Sequence, residues 1–240
     1  MTNFLIIGAS RGIGEGFSLG LPEEGDNVWL VSRTRPDALD EDDGVDRDWL
    51  ELDVAEEGSG LQIAEWLGDD EVLDVVIYNA GVWESGGFEP EYDFDQAPEE
   101  ESWHIIEVNL GAAVTCIQAV LPHLRRSGKG RVILMGSAAG LENTGLLEVA
   151  YTASKFGVRG LAQALRENLR WDRIGVTCIN PGEVANEIPY AEGPEAALEA
   201  YENSRIPIQD IVDLVRCVID LSPAACVKEI NIPAMSDEYA

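Results

Sequence analysis

Lysine is almost missing from this chain: Lys129, Lys155 and Lys228 are all it has. Basic charge as a whole is scarce, with 16 Lys and Arg against 45 Asp and Glu and a formal net charge of -29. Such a surface repels polyanions, which excludes nucleic acid and anionic membrane surfaces as expected partners. Histidine is limited to His104 and His123. The four cysteines, Cys116, Cys178, Cys217 and Cys226, are scattered, with no C-x-x-C pair and no histidine beside them. That spacing suggests neither a disulfide framework nor a zinc site; no metal is expected, and the cysteines read as small hydrophobes. No apolar stretch approaches the roughly 18 residues that span a bilayer, and no basic leader precedes the first apolar run. The chain therefore reads as soluble and cytoplasmic.

What is present is enough for a substantial core. With 240 residues and 45% apolar content, and no composition break that marks a linker, residues 1–240 are expected to form one domain. The basic set is arginine-dominated, 13 arginines to three lysines, a bias that resembles proteins working in concentrated salt. Halophilic adaptation is the corresponding expectation, because screening relieves the self-repulsion of so acidic a surface.

Periodicity divides the chain into short β-rich runs and longer helical patterns. The strands are expected at Asn3–Ile7, Asn27–Ser32, Asp48–Asp53, Leu73–Tyr78, Arg131–Met135, Gly175–Asn180 and Val227–Ile232. Helical patterns are clearest in Glu100–Arg126, Tyr151–Arg170 and Gln209–Leu221. Gly16, Gly20 and Pro22 predict a short helix after the first strand, ending near Gly20. The acidic segment Glu84–Glu101 reads as a solvated loop. Alternating β and α elements imply an α/β fold: a doubly wound, Rossmann-like parallel sheet of about seven strands with helices on both faces. In such a sheet ligands bind beyond the carboxyl ends of the strands, where strand order reverses.

Glycines gather at one such place. Gly8, Gly12 and Gly14 follow the first strand with the spacing G-x-x-x-G-x-G. This lets the backbone turn tightly, approach a pyrophosphate and aim helix N-terminal N–H groups at it. Together with Asn79-Ala80-Gly81 after the fourth strand, Ser137 after the fifth, Tyr151-Thr-Ala-Ser-Lys155, and Pro181-Gly182 after the sixth, the pattern resembles the short-chain dehydrogenase/reductase family in its single-domain form. Five motifs in family order cover nearly the whole chain.

The residues carry their own chemistry. Tyr151 and Lys155 lie four apart at the start of a helix and share a face, so the ammonium is expected to lower the phenol's pKa from about 10. Such a tyrosine is a general acid/base for a carbonyl being reduced, with Ser137 holding the carbonyl oxygen. Singly, these side chains also read as a surface pair and a turn residue; together, in order, they point to catalysis. The resemblance adds Asn109 as a member of a proton relay through water, and assigns Lys155 a contact with the nicotinamide ribose. It implies a cofactor site formed by Gly8, Ser10, Arg11, Gly12, Ile13, Gly14, Ser32, Arg33, Asp53, Asn79, Ala80, Gly81, Tyr151, Lys155, Pro181, Gly182, Val184 and Asn186.

Cofactor choice turns on the end of the second strand. An acidic residue there bonds the ribose 2′-OH of NAD(H), whereas arginine accommodates the 2′-phosphate of NADP(H). Ser32 and Arg33 replace the acid, and Arg11 reaches the same side, so NADP(H) is expected in preference to NAD(H). Asp53 stands at the family position that contacts adenine. Several positions depart from the family pattern: Ile7 replaces a threonine, one residue is added between Ser137 and Tyr151, and Asn186 stands where a threonine is usual. A C-terminal strand without a glycine-rich ending favours a homodimer over a homotetramer. Trp83, Leu141–Val149 and Glu183–Ser204, with Glu142, Glu148 and Glu183, are expected to wall the substrate pocket. That mixture suits a small neutral aldehyde or ketone. The alternative is 3-oxoacyl-[acyl-carrier-protein] reduction, with Arg125, Arg126, Lys129 and Arg131 near Arg170 and Arg173 as a dock for an acidic carrier. A non-enzymatic alternative is a dinucleotide-sensing scaffold.

Overall fold

The structure is a computed structural model and describes residues 1–87, 89, 91–141 and 146–236. Seven strands form one parallel sheet: β1 (Asn3–Ile7), β2 (Asn27–Ser32), β3 (Asp46–Glu51), β4 (Val75–Tyr78), β5 (Arg131–Met135), β6 (Gly175–Pro181) and β7 (Glu229–Ile232). Their order is β3-β2-β1-β4-β5-β6-β7, so strand order reverses between β1 and β4, the expected ligand crevice. The helices are α1 (Ile13–Gly20), α2 (Ser59–Leu67), α3 (Glu99–Ile106), α4 (Ala112–Ser127), α5 (Val149–Asn168), α6 (Pro194–Ala200) and α7 (Ile208–Asp220).

Strands β1, β4 and β5 are apolar along nearly their whole length because both sheet faces are covered. Leu5, Ile7, Val76, Leu134 and Val176 face one core layer, with Ile117 and Val120 of α4. Phe4, Ile6, Ile77, Ile133 and Ile179 face the other, with Phe17 of α1 and Ile211, Val212 and Val215 of α7. The glycines that make α1 a poor helix by propensity let α7 come close: a Cβ on Gly16 would lie 2.3 Å from Ile208 Cγ2. As expected, α1 ends at Gly20.

Three expectations need correction. Strand β3 starts two residues earlier than its pattern suggests, because its ladder begins with Asn27 opposite Asp46. The chain does contain an apolar stretch long enough to cross a membrane by length and composition, the helical run Glu99–Ser127, whose best window has mean hydropathy 1.6. It packs against α2 and α5, and 44% of that window is buried. Third, the segment from Glu84 is not simply solvated, since the Glu84 side chain is fully buried. A π-helical turn, Glu107–Gly111, joins α3 to α4 and carries Asn109.

Candidate active site

A cavity of about 840 Å³ opens at the carboxyl ends of the strands, across the β1/β4 switch point. All of the anticipated cofactor and catalytic positions line it except Gly14 and Asn109. Gly14 works by packing. A Cβ there would sit 1.9 Å from Gly8 O and 2.8 Å from Asn79 Nδ2, and Asn79 Nδ2 donates to Gly8 O at 2.8 Å. The glycine therefore lets α1 press onto the turn that follows β1. Asn109 is buried beneath the cavity wall, where its amide accepts from Val82 N at 2.8 Å and donates to Val82 O at 2.8 Å and Ser154 Oγ at 2.9 Å. Its side chain ties the π turn to the loop after β4 and to α5; Tyr78 reinforces that turn by donating its hydroxyl to Val108 O at 2.6 Å.

At the inner end of the cavity, Ser137 follows β5 and its Oγ accepts from Ala139 N at 3.1 Å. Lys155 is 5% exposed, donates from Nζ to Met135 O at 2.9 Å, and lies 5.5 Å from the Tyr151 ring centroid. Burial pushes the Lys155 ammonium down to about 8. Burial raises the Tyr151 phenol, a hydrogen bond with Ser137 opposes this, and Glu148 and Glu84 raise it further. The expected lowering of the phenol by Lys155 is not found: burial and the two glutamates raise it, and the opposing influence is the hydrogen bond with Ser137. A pKa raised from 10 leaves the phenol protonated at neutral pH.

At the outer end, Arg11, Ser32, Arg33, Thr34 and Asp53 line the cavity. Arg35 is engaged elsewhere, in a bidentate pair with Asp40 at 2.8 Å for both bonds. Arg33 stands 3.8 Å from Asp53 and its side chain is 59% exposed. Ser32 is held by Trp49 Nε1, which donates to its Oγ at 3.1 Å, and itself donates to Thr34 O at 2.7 Å. The end of β2 thus presents arginine and hydroxyl groups, with no carboxylate of its own. The N-terminus of α1 offers Ile13 N–H, accepted at 3.3 Å by Asn186 Oδ1.

The anticipated substrate wall is only partly found. Trp83 lines the cavity, but no described residue of 141–149 does, and Glu142 lies outside the described residues. Glu148 is 1% exposed and turned inward. Glu183 does not line the cavity and pairs with Arg205 at 3.3 Å, while Glu187, which does line it, pairs with Arg205 at 3.1 Å. Glu187 falls within the anticipated Glu183–Ser204 wall, whereas Thr34, Met135, Gly136 and the apolar lining residues Val31, Leu52, Val54, Val82 and Val108 were not anticipated. Met135 and Gly136 were findable as the bridge from β5 to Ser137.

The supposed carrier dock is also rearranged. Arg125 pairs with Asp172 at 2.8 Å, Arg126 donates to Glu71 O, Lys129 approaches Asp74 at 3.6 Å, and Arg170 pairs with Glu167. Arg131 is 7% exposed and donates to Leu221 O, Ser222 O and Ala225 O. These groups sit where α4 and α5 end and β5 begins, at the opposite end of the sheet from the cavity.

This arrangement agrees with known proteins. The chain is 30% identical over 216 residues to the rhamnolipids biosynthesis 3-oxoacyl-[acyl-carrier-protein] reductase of Pseudomonas aeruginosa, covering 85% of this chain and 81% of that one. It superposes with TM-score 0.80 on the alcohol dehydrogenase of the archaeon Thermococcus sibiricus complexed with 5-hydroxy-NADP, at 25% identity, covering 98% and 97% of the two chains. The Pseudomonas aeruginosa RhlG/NADP active-site complex gives TM-score 0.80 at 27% identity, covering 99% and 96%. The family model for short chain dehydrogenase matches residues 2–194, and the chain, with its seven-stranded parallel sheet and its glycine, Asn-Ala-Gly and Tyr-x-x-x-Lys motifs, belongs to the short-chain dehydrogenase/reductase family of oxidoreductases.

Proposed function

We propose that the chain is an NADP(H)-dependent reductase that moves hydride between the nicotinamide and a small neutral aldehyde or ketone. The observation that carries this reading is the meeting of Tyr151, Ser137 and Lys155 at one end of a cavity whose other end offers Arg11 and Arg33. The cavity fits a dinucleotide. Its floor at Gly8 has no room for a side chain, because a Cβ would lie 2.5 Å from Ala80 N, and Ile13 N–H would serve a pyrophosphate oxygen once Asn186 Oδ1 gives it up. Arg11 and Arg33 would hold the 2′-phosphate, Asp53 the adenine end, and Lys155 and Asn186 the nicotinamide end. When bound, the nicotinamide supplies or takes the hydride.

The remaining chemistry belongs to the protein. Ser137 Oγ orients the carbonyl oxygen, and the Tyr151 hydroxyl gives that oxygen its proton. Lys155 keeps a positive charge beside the phenol, and Asn109 holds the π turn against the loop that bounds the site. A 3-oxoacyl thioester is the second reading, supported by the name of the Pseudomonas relative. The internal pairing of the basic side chains at the far end of the sheet weighs against a carrier dock there.

The test is NADPH consumption against aldehydes, ketones and 3-oxoacyl thioesters, for the wild type and Tyr151→Phe. Turnover of simple ketones or aldehydes, reduced by about 10²- to 10⁴-fold in the variant with NADPH binding retained, is expected. Unchanged turnover in Tyr151→Phe would falsify the assignment, and preference for 3-oxoacyl thioesters selects the second reading. Binding of NADPH with no turnover in the wild type selects the scaffold.

A further inference from the structure

Two carboxyl groups are buried together just before the helix that carries Tyr151. Glu84 is 0% exposed and Glu148 is 1% exposed. Glu84 Oε1 is satisfied, accepting from Ala150 N at 2.7 Å and Tyr151 N at 3.2 Å. Glu84 Oε2 and both carboxyl oxygens of Glu148 have no hydrogen-bond partner, and neither has Tyr92 Oη nor Thr152 Oγ1. The two glutamates meet under Gly87, where an added Cβ would lie 2.6 Å from Glu148 Cγ and 3.2 Å from Glu84 Cβ. Tyr92 lies within the field of both.

So much unpaired negative charge does not stay buried without compensation. Among the described residues neither glutamate has an ion pair, and none of the residues outside that set is Lys, Arg or His. The α5 N-terminus is a partial positive charge, but it is spent on Glu84 Oε1. Burial and the neighbouring Glu84 raise the Glu148 carboxyl, so what offsets the remaining charge is a proton or a cation taken from solution.

We propose that Glu84, Glu148 and Tyr92 form a binding site for a small hard cation, Na⁺, K⁺ or Ca²⁺, between the loop after β4 and the N-terminus of α5. Oxygen donors of this kind, carboxylate and hydroxyl with water or carbonyl completing the shell, suit such ions. No three His, Cys, Asp or Glu side chains converge among the described residues, and this pair of carboxylates has neither the imidazole nor the thiolate that selects zinc or copper. The ion joins the cofactor-side loop to the helix of Tyr151 and offsets two carboxylates that act on its phenol.

The experiment is thermal unfolding of the full chain in KCl, NaCl, CaCl₂ and tetramethylammonium chloride at matched ionic strength. Bulk screening acts equally in all four, whereas tetramethylammonium is too large for the site. At saturating ion one small cation is expected to raise Tm by roughly 5 °C over tetramethylammonium, and Glu148→Gln is expected to lose that increment. Equal Tm in all four salts for the wild type overturns the proposal, whether or not the variant folds. Retention of the full increment in Glu148→Gln also overturns it. A Tm that responds to pH between 5 and 8 but not to the identity of the cation identifies a shared proton instead. None of these readouts depends on the proposed reaction, so the site stands or falls apart from it.

Discussion

At the residue scale, burial decides more than proximity. Lys155 lies close enough to Tyr151 to tune it, yet the dry surroundings that bring them together also weaken the ammonium. An ammonium whose folded pKa is about 8 against 10.5 destabilises the fold fully below pH 8, and the penalty fades as pH rises toward 10.5. Lys155→Met should therefore be more stable than the wild type at pH 7, by about 1–3 kcal/mol, since the buried Met135 O loses its donor and offsets part of the gain. The gain should shrink between pH 8 and 10; thermal melts across that range check it, and a gain that does not vary with pH refutes it. For the phenol the sign runs the other way in function. A raised pKa keeps the acid protonated, so carbonyl reduction should be flat near neutrality and fall as pH climbs through the phenol's titration, while alcohol oxidation rises. Arg33→Ala paired with Arg11→Ala should raise KM for NADPH by more than tenfold and leave KM for NADH nearly unchanged. A parallel loss for both dinucleotides would remove the 2′-phosphate role from these side chains.

At the scale of elements, close approach explains what propensity alone counts against. Gly16→Ala gains helix propensity in isolation, but its Cβ would meet Ile208 and Val212 of α7. The net effect should be a loss of about 1–3 kcal/mol, read as a Tm lower by roughly 2–12 °C. Strand positions were legible because continuous apolar runs bounded by Gly, Asn and Asp leave little choice. The boundaries of β3 were not, because they depend on pairing with β2. The glycine loop, Ser137, Tyr151 and Lys155 were legible from spacing. The inward turn of Glu84 was not, although one signal existed: α5 begins Glu-Val-Ala with no Ser, Thr, Asp or Asn to cap it, so its first N–H groups needed an acceptor from elsewhere. Asn109 was identified by motif, but its anchoring of the π turn to Val82 and Ser154 is a tertiary fact that spacing does not carry.

At the scale of the whole molecule, charge is the dominant unpaired quantity. Ion pairs such as Arg35–Asp40, Arg47–Asp43 and Arg125–Asp172 engage much of the scarce basic charge, Arg125 among it although the sequence offered that side chain to a carrier, and 16 basic side chains cannot pair with 45 acidic ones. Even in tetramethylammonium chloride, Tm should rise as the Debye length contracts from about 10 Å at 0.1 M to about 3 Å at 1 M; a flat curve would remove the halophilic reading. A different consequence follows from Asn186, whose Oδ1 rests on Ile13 N–H while its chain neighbour Val184 is bridged to Ile206. A pyrophosphate that takes the same N–H must displace that amide first. Docking of the dinucleotide should then occur in two steps, with an observed rate that levels off at high NADPH in stopped-flow fluorescence and becomes linear in concentration in Asn186→Ala.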